Sequence, residues 1–134
     1  MSQSVLFFDG CSKGNPGRAG AGAVIYNEAE EIYSEALFVG EKETNNVAEY
    51  AGLIMGLRAA IKMNITDLRV KGDSELVIKH MKGIYQVRAP NLLPLFQEAQ
   101  ALSKTFATIT FQHVFRTENK RADALSNEGL LLNM

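Results

Sequence analysis

Tryptophan is absent from this sequence, cysteine occurs once, proline three times, and neither charge sign dominates. The lone Cys11 excludes an internal disulfide framework, fits a reducing compartment and leaves no cysteine-built metal motif. Long apolar runs are missing too. Only Val5 to Phe8 separate the polar start from Asp9, too few for a signal-peptide core, and no later run could span a bilayer. The expectation is a soluble, cytoplasmic protein without membrane contact. Lys and Arg total 14 against 15 acidic residues, for a net charge of -1, so the overall field does not announce a polyanionic partner. A local basic groove remains open, because several basic residues gather between Lys71 and Arg88. Phosphate-loop, dinucleotide and calcium-loop patterns are absent, as are internal repeats and low-complexity segments. Neither His80 nor His113 has triad or zinc spacing, so each reads as a packed or surface imidazole. Cys11 has no histidine close in sequence to activate it and reads as a small packing residue. The core is the commoner use of Tyr85 and Phe96.

With 134 residues, 46% of them hydrophobic, the chain is the size of one domain, residues 1–134, and a monomer is the expected state. Val5-Leu6-Phe7-Phe8 reads as a buried strand ending on Asp9, an odd residue at the edge of a core. The glycine-rich loop from Gly10 to Gly20 lets backbone approach something closely; it fits a phosphate or ribose cradle, though a plain hairpin is the commoner use. Strands are expected over 21–27, 31–39, 68–72 and 108–115, and helices over 47–61, 75–81, 91–104 and after Asn119. Three strands, a helix, a strand, helices, a strand and a helix make a mixed sheet with helices on its faces.

Four carboxylates stand at the joints of this pattern. Asp9 and Asp73 follow strands, while Glu49 and Asp123 fall in expected first helical turns. Each has an ordinary explanation: Asn46 with Glu49 resembles a capping box, Asp73 suits a helix N-cap, and Asp123 complements a helix dipole after an Asn119 cap. Together they form a set. Acidic groups gathered without an interleaved base repel one another, and hard divalent cations are the natural partners of such oxygen ligands.

Phe8-Asp9-Gly10-Cys11-Ser12-Lys13-Gly14-Asn15-Pro16-Gly17, Thr44-Asn45-Asn46-Val47-Ala48-Glu49-Tyr50, Gly72-Asp73-Ser74 and Asn119-Lys120-Arg121-Ala122-Asp123-Ala124-Leu125 resemble the four signature blocks of type 1 ribonuclease H. The resemblance covers essentially the whole chain from Val5. It implies an α/β RNase H-like fold, a five-stranded mixed sheet flanked by helices. It also implies an endoribonuclease that hydrolyses the RNA strand of RNA·DNA hybrids. Two magnesium ions, with manganese as a substitute, would be held by Asp9, Glu49, Asp73 and Asp123, about 3.5–4 Å apart. Asn15, Asn45 and Asn46 match the family's nucleotide-contacting residues, consistent with reading 2′-hydroxyls in a minor groove.

Two departures from the better-known members point to the plant- and archaeal-type branch. Arg116 stands where many relatives carry a histidine before the last helix, and arginine cannot act as a base at neutral pH. The basic, tryptophan-bearing protrusion is reduced to Lys82-Gly83-Ile84-Tyr85-Gln86-Val87-Arg88, leaving Lys13, Arg18, Lys79, Lys82, Arg88 and Arg116 as expected phosphate contacts. Two competing readings share the fold: a noncatalytic hybrid-binding or protein-interaction module, and a DNA-directed nuclease such as a resolvase or integrase core. The first would be favoured by a missing carboxylate, and none is missing; the asparagine blocks argue against the second.

Overall fold

The computed structural model describes residues 3–133. Its elements are strands β1 (Ser4–Lys13), β2 (Gly17–Asn27) and β3 (Glu30–Glu43), helix α1 (Asn45–Lys62), strand β4 (Asp67–Gly72), helices α2 (Glu75–Met81) and α3 (Leu93–Ser103), strand β5 (Thr108–His113), a 3-10 turn (Arg116–Glu118) and helix α4 (Lys120–Gly129). The strands form one sheet in the order β3-β2-β1-β4-β5. Pairing is antiparallel from β3 to β1 and parallel from β1 to β5. This is the expected five-stranded mixed sheet.

Alternation along the central strands divides the core between two faces. Leu6, Phe8, Ala23 and Ile25 pack with Tyr50, Leu53 and Leu57 of α1. On the opposite face Val24 packs with Ala122 and Leu125 of α4, with Phe7 and Tyr26 beside them. The expected start of each helix lay close to the observed one, but the capping residues differ. Thr44, rather than Asn46, caps α1, its Oγ1 accepting from Val47 N at 3.2 Å. Ser74, rather than Asp73, caps α2 in the same way from Val77 N at 3.2 Å. Helix α3 starts later than expected, at Leu93, with Pro94 in the first turn, where its missing N–H costs nothing.

The glycine-rich stretch is the plain hairpin its composition favours, with one departure at its start. Strand β1 does not end at Asp9 but continues to Lys13, pairing Gly10 with Ala21 and Lys13 with Arg18, so the stretch is the far end of a hairpin. Gly10 at its start and Gly22 just beyond its end let helices approach closely. A Cβ on Gly10 would stand 2.2 Å from the Ala48 carbonyl carbon of α1, and one on Gly22 would stand 2.5 Å from the Leu125 Cβ of α4. Contacts this short are not available to a side chain.

Candidate active site

The sheet register builds the site. Parallel pairing of β1 with β4 ends at Phe8 opposite Gly72, so Asp9 and Asp73 lie side by side just beyond the last pair. The neighbouring strand pairs Gly72 with His113, which brings the segment after β5 to the same edge. The site therefore stands at the carboxyl ends of parallel strands, where open α/β sheets place their crevices. Because Thr44 caps α1, Glu49 lies in the second turn and makes no capping box; the approach of α1 to Gly10 carries it against Asp9 instead. Asp123 lies in the first turn of α4, as expected.

Asp9, Glu49 and Asp73 each offer a carboxylate oxygen, all within 4.8 Å of one another. Asp123 faces the same cavity as this trio and is close enough to raise the Asp9 carboxyl. Asp9 and Glu49 are 4% and 5% exposed, which is unusual for carboxylates lacking a cationic partner. Burial, first, then the charges of Asp73 and Asp123, push the Asp9 carboxyl up to about 8; the Gly10 N–H, donating at 2.9 Å, opposes the rise. Burial also raises Glu49 well above the usual carboxylate range, followed by the charges of Asp9 and Asp73. The Glu49 Oε1 is buried and has no hydrogen-bond partner among the described residues. An orphaned carboxylate oxygen among converging oxygens fits a hard divalent cation, which would replace the lost hydration.

Asn119 ties the two halves of the site together. It occupies the N-cap position of α4 but makes no side-chain cap; its Nδ2 donates instead to the carbonyl of Phe8 at 2.9 Å. Its own carbonyl accepts from Asp123 N at 3.0 Å. The residue before Asp9 is thus bonded to the residue that anchors Asp123. Capping preference alone hid this use of a buried asparagine.

The four carboxylates face a cavity of about 620 Å³ whose walls include Ser12, Lys13, Asn45, His113, Phe115, Arg116 and Asn127. Asn45 is held from two sides: its N–H donates to Asn15 Oδ1 at 2.9 Å, and its Oδ1 accepts from Ser12 N at 3.1 Å. Asn15 and Asn46 do not line this cavity, and Asn15 reaches it through Asn45. Arg116 does line it; its guanidinium is 81% exposed and stands 3.8 Å from Asp123. His113, which reads from sequence as a packed or surface imidazole, stands on the cavity wall, as do Phe115 and Asn127, whose side chains have no diagnostic spacing.

Of the other expected residues, His80 is packed, with Nδ1 2.7 Å from the Tyr50 hydroxyl. Two expected phosphate contacts are otherwise engaged. Arg18 pairs with Glu41 at 2.7 Å, donates to the Leu130 carbonyl at 2.8 Å and lies over the Phe38 ring. Lys79 pairs with Glu75 at 2.8 Å. Lys13, Lys82, Arg88 and Arg116 remain exposed.

Residues 7–129 match the reverse transcriptase-like family. Ribonuclease HI of Halobacterium salinarum is 40% identical over 92% of this chain, which spans 62% of that relative. The chain belongs to the type 1 ribonuclease H family. It is also 42% identical to the bifunctional protein Rv2228c of Mycobacterium tuberculosis over 94% of its own length and 35% of the relative's. The chain thus spans about a third of the mycobacterial relative. The solved N-terminal RNase H domain of that protein superposes with a TM-score of 0.93 at 41% identity, covering 97% of this chain and 94% of the other. LC11-RNase H1, solved in complex with an RNA/DNA hybrid, gives a TM-score of 0.89 at 33% identity over 95% and 96% of the two chains.

Proposed function

We propose that this chain is a magnesium-dependent endoribonuclease that hydrolyses the RNA strand of RNA·DNA hybrids. The observation that carries the reading is the convergence of Asp9, Glu49 and Asp73 within 4.8 Å, with a buried, unpartnered Glu49 oxygen among them. Membership of the ribonuclease H family and the likeness to a structure holding an RNA/DNA hybrid support it. The noncatalytic alternative lacks support, because all four signature carboxylates are in place.

Asp9, Glu49, Asp73 and Asp123 would hold two magnesium ions. When bound, the ions would supply the Lewis acidity that activates water and stabilises the departing 3′ oxygen. The chain's own residues position the substrate. Asn45, with its Oδ1 engaged by Ser12, has its Nδ2 left to donate toward a sugar hydroxyl at the cavity wall. Arg116, permanently charged, neutralises a backbone phosphate beside Asp123 and does not act as a base. Asn15 acts on the substrate through its hold on Asn45. Asn46, at the start of α1 and outside the cavity, would contact the duplex beyond the site.

The test is a comparison of substrates. Labelled hybrid, double-stranded RNA, double-stranded DNA and single strands are incubated with the protein, with and without a chelator. Cleavage confined to the RNA of the hybrid and abolished by the chelator is expected. Cleavage of DNA, or hybrid binding without any cleavage in magnesium, would reject the reading.

A further inference from the structure

Phe115 lines the carboxylate cavity although it is 71% exposed, the most exposed of the large apolar side chains among the described residues. It is not on a loose segment. The preceding Val114 N donates to the Gly72 carbonyl at 2.9 Å, and the Phe115 carbonyl accepts from Glu118 N at 2.9 Å. The ring meets His113 edge-on, with centroids 5.6 Å apart and planes at 77°. An apolar ring is therefore held at a set position between the strand end that carries Asp73 and the turn that carries Arg116. Left in water it gains nothing; covered by a ligand it would contribute burial energy.

The surroundings narrow the kind of ligand. A protein partner would need a continuous apolar patch. None of the other exposed large apolar residues lines this cavity among the described residues, and Asp9, Asp73, Arg116 and Asp123 make its walls polar. The ligand must then present an apolar face close to groups that suit cations and amides. A nucleotide strand does so, with sugar carbons beside phosphate oxygens. In a paired strand the base faces are covered by their stacked neighbours, whereas the sugars line the groove edges and stay open.

We propose that Phe115 packs against a ribose flanking the scissile phosphate of the RNA strand, while Arg116 neutralises that phosphate. The inference rests on the ribonuclease reading and adds a substrate-contacting residue to it. A ring covered by one sugar would add to binding alike before and during the reaction, so its loss would fall on KM.

The absence of tryptophan makes a direct test available, because Phe115→Trp gives a protein with a single indole reporter. The variant is titrated with dye-labelled hybrid in calcium, whose looser coordination slows turnover, and dye anisotropy and indole emission are read together. The expected result is an emission shift that saturates with the anisotropy. The shift should persist when the bases of the nucleotides flanking the cut site are removed and their sugars kept. In magnesium, Phe115→Ala should raise KM about three- to tenfold with kcat within about twofold, and Phe115→Leu should recover most of the loss. Anisotropy that rises without any emission change would overturn the contact while leaving the ribonuclease reading intact. Loss of the shift on base removal would overturn the ribose assignment in favour of base stacking. No anisotropy rise with wild-type or variant protein would overturn the ribonuclease reading, and the contact with it.

Discussion

Glu49 and Asp9, both buried and both raised, share the pH behaviour of the metal-free protein, and the range can be bounded for Asp9. Its carboxyl is raised from an ordinary 3.8 to about 8, first by burial and then by its acidic neighbours. Between those values the folded protein keeps a proton that the unfolded chain has released, so raising the pH costs stability. The contribution is complete below the ordinary value and is lost as pH climbs toward about 8. In chelator, the melting temperature should therefore fall steadily between about pH 5 and about pH 8, and magnesium should recover part of the loss. Asp9→Asn should make the fall shallower, with Glu49 carrying what remains, and stabilise the metal-free protein by on the order of 1–3 kcal/mol at the alkaline end. A melting temperature that rises over this range would contradict the assignment. Asp73 offers a cleaner separation of ligand from scaffold. Since Ser74 caps α2, Asp73→Asn should abolish hybrid cleavage and leave thermal stability nearly unchanged. Ser74→Ala should do the reverse, costing about 1 kcal/mol with cleavage largely retained. Parallel melting and cleavage measurements on the two variants decide the point.

At the scale of elements, the order of strands and helices could be read from periodicity, and the joints between them located the four carboxylates. Periodicity could not show how those joints close. Asp9 reads as a strand end because the continuous apolar run stops there, yet the strand runs on to Lys13 since β2 continues to pair with it. Glu49 reads as a capping residue because Asn46 is a good cap, but Thr44 takes that role and frees the carboxylate for the site. Asn119 reads as a cap and serves instead as a bond from α4 to β1. For Asp9 and Asn119 a partner distant in sequence decided between two local uses, and for Glu49 a neighbouring cap did. Gly10 is the sharpest case, for its value lies in the missing Cβ that α1 would strike. Gly10→Ala should cost about 3 kcal/mol or more and lower cleavage at temperatures where the variant is still folded, because α1 carries Glu49 away from Asp9. Normal cleavage at wild-type stability would show that the close approach has no part in building the site.

For the whole molecule, the near-neutral charge and the short connection between α2 and α3 limit how many phosphates can be held. The engagement of Arg18 and Lys79 leaves Lys13, Lys82, Arg88 and Arg116 as the expected phosphate contacts that stay exposed. With about three or four phosphates neutralised, the logarithm of hybrid affinity should fall against that of salt with a slope of roughly −3 to −4. Replacing Lys82 and Arg88 together by Ala should flatten the slope by about 2 and raise KM more than it lowers kcat. An unchanged slope would move the duplex to another face. If the acidic cluster at the carboxyl ends of the parallel strands holds the metal that cleaves the hybrid, a magnesium titration of cleavage must show it. Protein stripped by chelator should be inactive, regain RNA-strand cleavage as magnesium is added back, and fail to regain it in the Asp73→Asn variant. Cleavage that persists in chelator, or an Asp73→Asn protein that responds to magnesium like the wild type, would contradict the account.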